Sequence, residues 1–205
     1  MRIGIDLDNT IINYNALFHF AALGHGLISR LVPAHKPTIK HYIQTRHDND
    51  AWTRLQAEVY GPLIDYAEPY TGIQEFLGQC HRHGYPICIL SHKTRRPATG
   101  EDCDLRAAAL GWLESQGWFS SAGLGLRLTD VEFHDTREAK VAAIQRRACD
   151  TFIDDLPEVL ADPAFPSGTS RILFDPERAH PQHPEWKHAQ SWADITAEIF
   201  SPVAA

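Results

Sequence analysis

Long apolar runs and an excess of basic charge are both missing from this sequence. No stretch approaches the roughly 20 consecutive apolar residues that a membrane-spanning helix requires, and Asp6 lies inside the first apolar segment, unlike in a secretory signal peptide. With 19 lysines and arginines against 26 aspartates and glutamates, the net charge of −7 disfavours binding to nucleic acid polymers and anionic membranes. The sequence therefore predicts a cytoplasmic protein that binds neither a membrane nor nucleic acid.

Cysteine is scarce, with four residues and no C-x-x-C pair. A disulfide framework or a zinc ribbon is therefore not indicated, and buried free thiols are expected. The 12 histidines would suit a metal site, but their densest group is interleaved with prolines. We interpret this group as a surface loop, because metal ligands are usually held on rigid elements. It consists of His180, His183 and His188.

Apolar segments alternate between strand-like and helix-like patterns along the chain. Residues 3–7 and 86–90 are short apolar runs that end in polar residues, which is typical of buried parallel strands. Between them, apolar residues recur through 73–80 at the spacing of a helix with one buried face. Further strands are predicted at 131–133, 149–153 and 170–174, with helices around 105–113, from Thr136 onward, and around 192–199. This order predicts an α/β fold with a Rossmann-like parallel sheet and helices on both faces.

One connection is much too long for this pattern. Residues 13–66 separate the first strand from the first crossover helix, whereas about 2 to 6 residues usually suffice. Their apolar residues follow helical spacing in two pieces, on either side of a proline-containing stretch at 33–37. We therefore predict that residues 1–12 and 67–205 form the Rossmann-like core and that 13–66 form a small, mostly helical insertion.

Acidic and hydroxyl side chains follow the predicted strands at their carboxyl ends. Because the carboxyl ends of parallel strands share one edge of a sheet, where ligands bind, these side chains are expected to converge. Four carboxylates so close together repel one another unless a cation neutralises them. Oxygen ligands indicate a hard divalent ion, and Mg²⁺ is the commonest one that acts on phosphates. The residues are Asp6, Asp8, Thr10, Ser91, Asp154 and Asp155.

Four segments resemble, in the same order, the motifs of the haloacid dehalogenase (HAD) superfamily. Residues 3–10 resemble its first motif, an apolar strand followed by D-x-D-x-T, and residues 87–91 its second, a strand ending in serine or threonine. Lys140 fits the third motif, and residues 152–155 fit the fourth in its paired-aspartate form. With their connecting elements, these motifs cover most of the chain. The resemblance implies a phosphatase-type hydrolase that uses Mg²⁺ and no redox cofactor.

The resemblance also implies a role for each motif residue. Asp6 would attack phosphorus and form an aspartyl-phosphate, while Asp8 would protonate the leaving oxygen and later activate water. Residues two apart in a strand point to the same side, so both carboxyls can address one phosphoryl group. The expected phosphate ligands are Thr10, Ser91, His92 and Lys140. The expected metal ligands are Asp6, the backbone carbonyl of Asp8, and Asp155, with Asp154 as support.

Asp8 also distinguishes between reactions of this superfamily. Dehalogenation has no leaving oxygen to protonate, so an acid at this position favours hydrolysis of a phosphate ester. The expected substrate is a phosphomonoester of a small metabolite. Similarity of the fourth motif and the insertion to those of the 5′(3′)-deoxyribonucleotidases suggests a nucleotide, and a sugar phosphate fits about as well. A phosphomutase or phosphotransferase, a non-catalytic protein that binds a phosphorylated ligand, and any oligomeric state remain open.

The insertion at 13–66 has the position of the small helical cap common in this superfamily. Such a cap excludes water and contacts the substrate beyond its phosphate. Basic residues outnumber acidic ones within the insertion. The expected specificity residues are Trp52, which could stack on a base, and the basic residues that follow the second motif, Lys93, Arg95 and Arg96. Lys93 could also compete with Lys140 for the phosphate.

Overall fold

The predicted strands, together with one more, form a parallel sheet. The computed structural model describes residues 1–100, 102–120, 124 and 126–201. In chain order the strands are β1 (Ile3–Ile5), β2 (Ile12–Asn13), β3 (Glu68–Pro69), β4 (Ile87–His92), β5 (Val131–His134), β6 (Thr151–Asp154), β7 (Ser170–Phe174) and β8 (Lys187–Ala189). Six of them lie in the order β5-β4-β1-β6-β7-β8, with all neighbours parallel, while β2 and β3 form a separate pair.

Helices occupy the segments between the strands. They are α1 (Asn15–Gly24), α2 (Lys36–Arg46), α3 (Asn49–Tyr60), α4 (Ile73–Arg82), α5 (Leu105–Ser115), α6 (Arg137–Arg146), α7 (Pro157–Leu160) and α8 (Trp192–Phe200). The predicted amphipathic helix at 73–80 is α4, whose apolar face is buried. The sheet flanked by helices confirms the predicted Rossmann-like α/β fold.

Strand β1 lies at the centre of the sheet, and its register with the two neighbouring strands determines which residues lie side by side. Ile5 is paired with Ile89 of β4 on one side and with Ile153 of β6 on the other. Asp6 and Asp154 are each one position further, so they stand side by side at the carboxyl edge. The chain crosses from β5 to β6 on the opposite side of β1, and α/β sheets bind ligands at such a switch point.

Tight packing beneath β1 depends on Gly4. A Cβ atom at this position would lie 2.5 Å from the Phe152 ring and 2.8 Å from the sulfur of Cys149.

All four cysteines are free thiols as expected, and only Cys103 is not buried.

A side-chain cap fixes where α6 begins. The hydroxyl of Thr136 accepts a hydrogen bond of 3.1 Å from the backbone N–H of Ala139, as the sequence predicts. Lys140 then falls one turn into the helix, where it is 1% exposed. The cap therefore determines which residue of α6 is directed into the protein.

The chain divides into two compact units. The core unit comprises Met1–Ile11, Pro69–His92 and Phe119–Ala205, and it contains the six-stranded sheet. The helical unit comprises Ile12–Glu68 and Lys93–Trp118. It thus contains the predicted insertion and, in addition, residues 93–118, which were predicted to belong to the core.

Packing of α5 explains this different boundary. The helix contacts α3 and the 3₁₀ turn Ile64–Tyr66. The indole N–H of Trp112 also donates a hydrogen bond of 2.8 Å to the buried carbonyl of Ala67. The amphipathic pattern of α5 predicts a buried face but not the partner that covers it.

The prediction of a histidine-rich surface loop was wrong at His188. This residue lies in β8, which pairs with β7 at the edge of the sheet, whereas His180 and His183 lie in irregular structure. Three residues without an apolar run give no period by which a strand can be recognised.

Among the helices of the described residues, none has the length and apolar composition needed to cross a bilayer.

Candidate active site

Carboxylates of the first and fourth motifs meet at the carboxyl edge of the sheet in the core unit. Asp6, Asp154 and Asp155 each place one oxygen within 4.8 Å of the others. Asp6 is 5% exposed, Asp154 is fully buried and Asp155 is half-buried. Carboxylates this close in a poorly hydrated place require positive charge nearby.

The buried ammonium of Lys140 supplies part of this charge. Its Nζ lies 2.5 Å from Oδ1 of Asp6 and 2.6 Å from Oδ2 of Asp154. The third-motif residue is thereby joined to the first and fourth motifs, although 134 residues separate Lys140 from Asp6. The Lys140 ammonium therefore offsets part of the negative charge of Asp6 and Asp154.

The pKa values of both Asp6 and Lys140 are raised in this cluster. Burial raises the pKa of Asp6; the Lys140 ammonium opposes this rise, while the carboxylates of Asp154 and Asp8 add to it. Burial acts to lower the pKa of Lys140, but the carboxylates of Asp154 and Asp6 outweigh it and hold that pKa above its usual range. Lys140 therefore stays charged, and a further cation would favour the ionised form of Asp6.

The two adjacent aspartates have different hydrogen-bond partners. Asp154 accepts from Lys140 through Oδ2 and from the backbone N–H of Leu156, at 3.0 Å, through Oδ1. Oδ1 of Asp155 accepts from the buried hydroxyl of Thr10 at 3.4 Å. Both oxygens of Asp154 are thus occupied by protein donors.

The last helix holds the loop of the first motif in place. The indole N–H of Trp192, at the start of α8, donates a hydrogen bond of 3.1 Å to the carbonyl of Thr10. The Trp192 ring is fully buried, with centroid distances of 4.9 Å to Phe76 and 5.7 Å to Phe174. In the sequence Trp192 is recognisable only as part of an apolar helix face, since no local pattern indicates a partner 182 residues away.

The second motif brings an unsatisfied hydroxyl to the same edge of the sheet. Ser91 is 1% exposed, and its Oγ has no hydrogen-bond partner among the residues that the structure describes. A buried polar atom without a partner costs free energy, and a phosphoryl oxygen would provide one. The next residue, His92, is exposed, and its Nε2 lies 3.1 Å from the carbonyl oxygen of Asp135.

All four predicted specificity residues belong to the helical unit. Arg95 and Arg96 are exposed and paired with Asp104 and Asp102, at 2.8 Å each. Trp52 is 2% exposed, and its ring stacks on Phe18 with centroids 5.0 Å apart. Lys93 is 5% exposed, with its Nζ 4.8 Å from the centre of the Tyr60 ring.

Solved structures of HAD-type hydrolases share this arrangement of strands and helices. A HAD family hydrolase from Deinococcus radiodurans R1, with bound phosphate and sodium, is 14% identical, with a TM-score of 0.58 over 96% of this chain and 93% of its own. The Bacillus subtilis protein YfnB, bound to magnesium, is 10% identical, with a TM-score of 0.59 over 98% of each chain. The chain therefore shares the Rossmann-like α/β fold of these hydrolases.

Dehalogenases share the fold as well. A dehalogenase with an intermediate complex is 14% identical, with a TM-score of 0.58 over 98% of this chain and 97% of its own. No protein-family model and no curated protein matches the sequence. At these low identities the structural likeness establishes the fold, and the chemistry has to be argued from the side chains.

Proposed function

We propose that this protein is a Mg²⁺-dependent phosphatase that hydrolyses phosphomonoesters of small metabolites through an aspartyl-phosphate. The observation that carries the proposal is the Lys140 ammonium, buried between Asp6 and Asp154 beside the carboxylate of Asp155. A nucleophilic carboxylate, a fixed cation and neighbouring carboxylate oxygens that can hold a metal ion are the groups that such a reaction needs.

In this proposal Asp6 and Asp8 divide the chemistry between them. A carboxylate oxygen of Asp6 attacks phosphorus, the ester oxygen departs with a proton from Asp8, and Asp8 then takes a proton from the water that hydrolyses the aspartyl-phosphate. Lys140 reduces the repulsion between Asp6 and the phosphate dianion. Ser91 donates its free hydroxyl to a phosphoryl oxygen, which satisfies an atom that is otherwise without a partner.

The donor set fits a magnesium ion. Asp6 and Asp155 supply carboxylate oxygens near each other, and hard oxygen donors are the ligands that Mg²⁺ prefers. Both oxygens of Asp154 already accept hydrogen bonds, which favours Asp155 as the direct ligand and Asp154 as its support. When bound, Mg²⁺ neutralises charge on the phosphoryl oxygens and orients the ester.

Dehalogenation is the alternative that the shared fold raises. Asp8 argues against it, because displacement of a halide from carbon leaves no oxygen to protonate. The deciding experiment is a screen of phosphorylated metabolites and 2-haloacids, in MgCl₂ and in EDTA, with phosphate and halide release measured in parallel. Magnesium-dependent phosphate release supports the proposal, whereas halide release, phosphoryl transfer between sugars, or ligand binding without turnover would each contradict it.

The Asp8→Asn variant tests the acid role directly. Hydrolysis of an alkyl phosphate is expected to fall by about 10² to 10³-fold, because its alkoxide leaving group must be protonated. Hydrolysis of p-nitrophenyl phosphate is expected to fall much less, since p-nitrophenolate leaves without a proton. The measurement is kcat of the wild type and of the variant on both esters. If kcat falls equally for the two esters, Asp8 is not the general acid.

Magnesium is expected to raise the melting temperature more at pH 8 than at pH 5.5. The pKa of Asp6 in the folded protein is raised above the value of about 4 in the unfolded chain, so at low pH the metal must displace a proton from Asp6. In the metal-free protein, the raised pKa of Asp6 makes stability fall, not rise, as the pH increases. Stability contributed by protonated Asp6 is present at low pH and is lost as the pH rises through the folded pKa.

Thermal unfolding in EDTA and in MgCl₂ across this pH range measures both effects. The Asp6→Asn variant is the matched control, because its amide cannot titrate. A magnesium-induced shift that is the same at pH 5.5 and pH 8 would contradict the competition between metal and proton at Asp6.

A further inference from the structure

Two thiols of the core unit lie in contact within its hydrophobic core. Sγ of Cys88, in β4, is 3.6 Å from Sγ of Cys149, which lies two residues before β6. Cys88 is 1% exposed and Cys149 is 4% exposed, and both pack in the same apolar cluster. The proposed hydrolysis uses neither thiol, so the pair is a reactive group without an assigned role.

Gly4 makes the room in which the two sulfur atoms meet. The parallel register places Gly4 of β1 beside Cys88 of β4. A Cβ atom on Gly4 would lie 2.8 Å from the sulfur of Cys149. Because this Cβ atom is absent, the sulfur of Cys149 lies over β1 and reaches the sulfur of Cys88.

The backbone holds both cysteines in place. The N–H of Cys149 donates to the carbonyl of Ile144 at 3.3 Å, and the carbonyl of Cys149 accepts from the hydroxyl of Thr169 at 2.7 Å. Cys88 is fixed by its place in β4, between β1 and β5. The two thiols therefore stay next to each other, and a bond between them requires the sulfur atoms to come about 1.5 Å closer.

The two thiols differ in acidity. The hydrogen bond from the Cys88 thiol holds the pKa of Cys149 below its usual range, and the cations of Arg2 and Arg147 act in the same direction. The same hydrogen bond, together with burial, raises the pKa of Cys88. Cys149 also precedes the exposed Asp150, so it is close to the surface. Since the thiolate is the form that attacks an oxidant, Cys149 is expected to react first.

We infer that Cys88 and Cys149 form a reversible disulfide within the native fold when the protein meets hydrogen peroxide or a similarly small hydroperoxide. The cross-link would join β4 to the segment before β6 across β1, the strand that leads to Asp6. This inference assigns a modification site, and it does not depend on the proposed function.

The oxidation takes place in two steps. The thiolate of Cys149 attacks one oxygen of hydrogen peroxide, so that an S–O bond forms, the O–O bond breaks and hydroxide leaves. The sulfur of Cys88 then attacks the sulfenic acid of Cys149; the S–S bond forms, the S–O bond breaks and hydroxide leaves again. The two sulfur atoms lose two electrons, and the peroxide, with the two thiol protons, becomes two molecules of water.

Peptide mapping of the oxidised protein tests the inference. The folded wild type is treated with hydrogen peroxide, its remaining thiols are blocked with iodoacetamide, and the protein is digested. We expect a peptide pair linked through Cys88 and Cys149 that dithiothreitol separates. The alternative is that the two thiols only fill the core. Thiols that both remain reduced, or oxygen added to one of them without a link, would overturn the inference.

Alanine variants distinguish proximity from exposure. Cys103→Ala and Cys80→Ala are the controls, because Cys103 is the most exposed of the four cysteines and Cys80 is another buried thiol. Both controls are expected to form the linked peptide as the wild type does. Cys88→Ala is expected to lose it and to accumulate a sulfenic acid at Cys149, which dimedone traps. A link through Cys80 or Cys103 in its place would contradict the inference, and the wild-type digest decides even if Cys88→Ala does not fold.

Thermal unfolding tests whether the disulfide is compatible with the native packing. The bond joins residues 61 positions apart, and a cross-link of this span restricts the unfolded chain. The oxidised wild type is expected to melt about 5 °C or more above the reduced protein, and dithiothreitol is expected to reverse the rise. Peroxide-treated Cys88→Ala should show no such rise. A lower melting temperature of the oxidised wild type would show that the bond distorts the core, and would overturn the inference.

Discussion

Replacing Asp6 with asparagine is expected to abolish phosphate release, by about 10³-fold or more, while the fold persists. The amide cannot attack phosphorus, so no aspartyl-phosphate forms. Asparagine has nearly the same shape, and it leaves Lys140 and Asp154 as a balanced pair at 2.6 Å. Because the variant also removes a buried carboxylate whose pKa is raised, we expect its stability in EDTA to equal or exceed that of the wild type at pH 8.

Steady-state turnover and thermal unfolding in EDTA measure the two halves of this prediction. Asp150→Asn is the control, because Asp150 precedes β6 at the other end of the strand from Asp154 and is exposed. We expect this control to retain wild-type turnover. An Asp6→Asn protein that keeps a tenth of the wild-type turnover would exclude Asp6 as the nucleophile.

Replacing Lys140 with methionine is expected to lower both stability and turnover. The change leaves Asp6 and Asp154 buried together without a cation, and breaking a buried ion pair in this way costs about 3 to 5 kcal/mol. Turnover is expected to fall by about 10² to 10³-fold, because the fixed charge that offsets repulsion between nucleophile and phosphate is gone. Denaturant unfolding at pH 8 in EDTA measures the free energy of unfolding.

Charge compensation distinguishes this effect from a packing defect. The double variant Lys140→Met, Asp154→Asn is expected to recover much of the lost stability. The single variant is expected to recover part of it at pH 5, where Asp6, whose pKa burial raises, takes up a proton. Lys187→Met removes an exposed lysine that pairs with Glu198 and is expected to cost less than about 1 kcal/mol. A Lys140→Met protein equally unstable at pH 5 and pH 8 would point to packing instead of charge.

The sheet and its acidic edge could be predicted because their signals are local. Strands β1, β4 and β6 are largely buried and apolar, and each ends in a polar residue of a motif or is followed directly by one. Parallel pairing then places Asp6 and Asp154 side by side without further information. Lys140 could be placed because Thr136 marks the start of its helix.

What could not be predicted depends on contacts between distant segments. The helical periodicity of α5 shows that one face is buried, but the pattern is the same whether the core or the insertion covers it. Lys36 has only the signal of an isolated basic residue, and its position over the ring of Tyr60, 24 positions along the chain, has no local signal. The contact of Trp192 with the first motif has no sequence signal at all.

The hydrogen bond from Trp192 to the carbonyl of Thr10 determines when, during synthesis of the chain, the loop of the first motif becomes fixed. On the ribosome, the loop that carries Asp8 and Thr10 is made well before its anchor, since Trp192 follows Thr10 by 182 residues. Until α8 docks, a nascent chain already holds every acidic side chain of the cluster but lacks the indole that fixes the loop. The loop is therefore fixed only when α8 docks, in one step with closure of the hydrophobic core around Trp192.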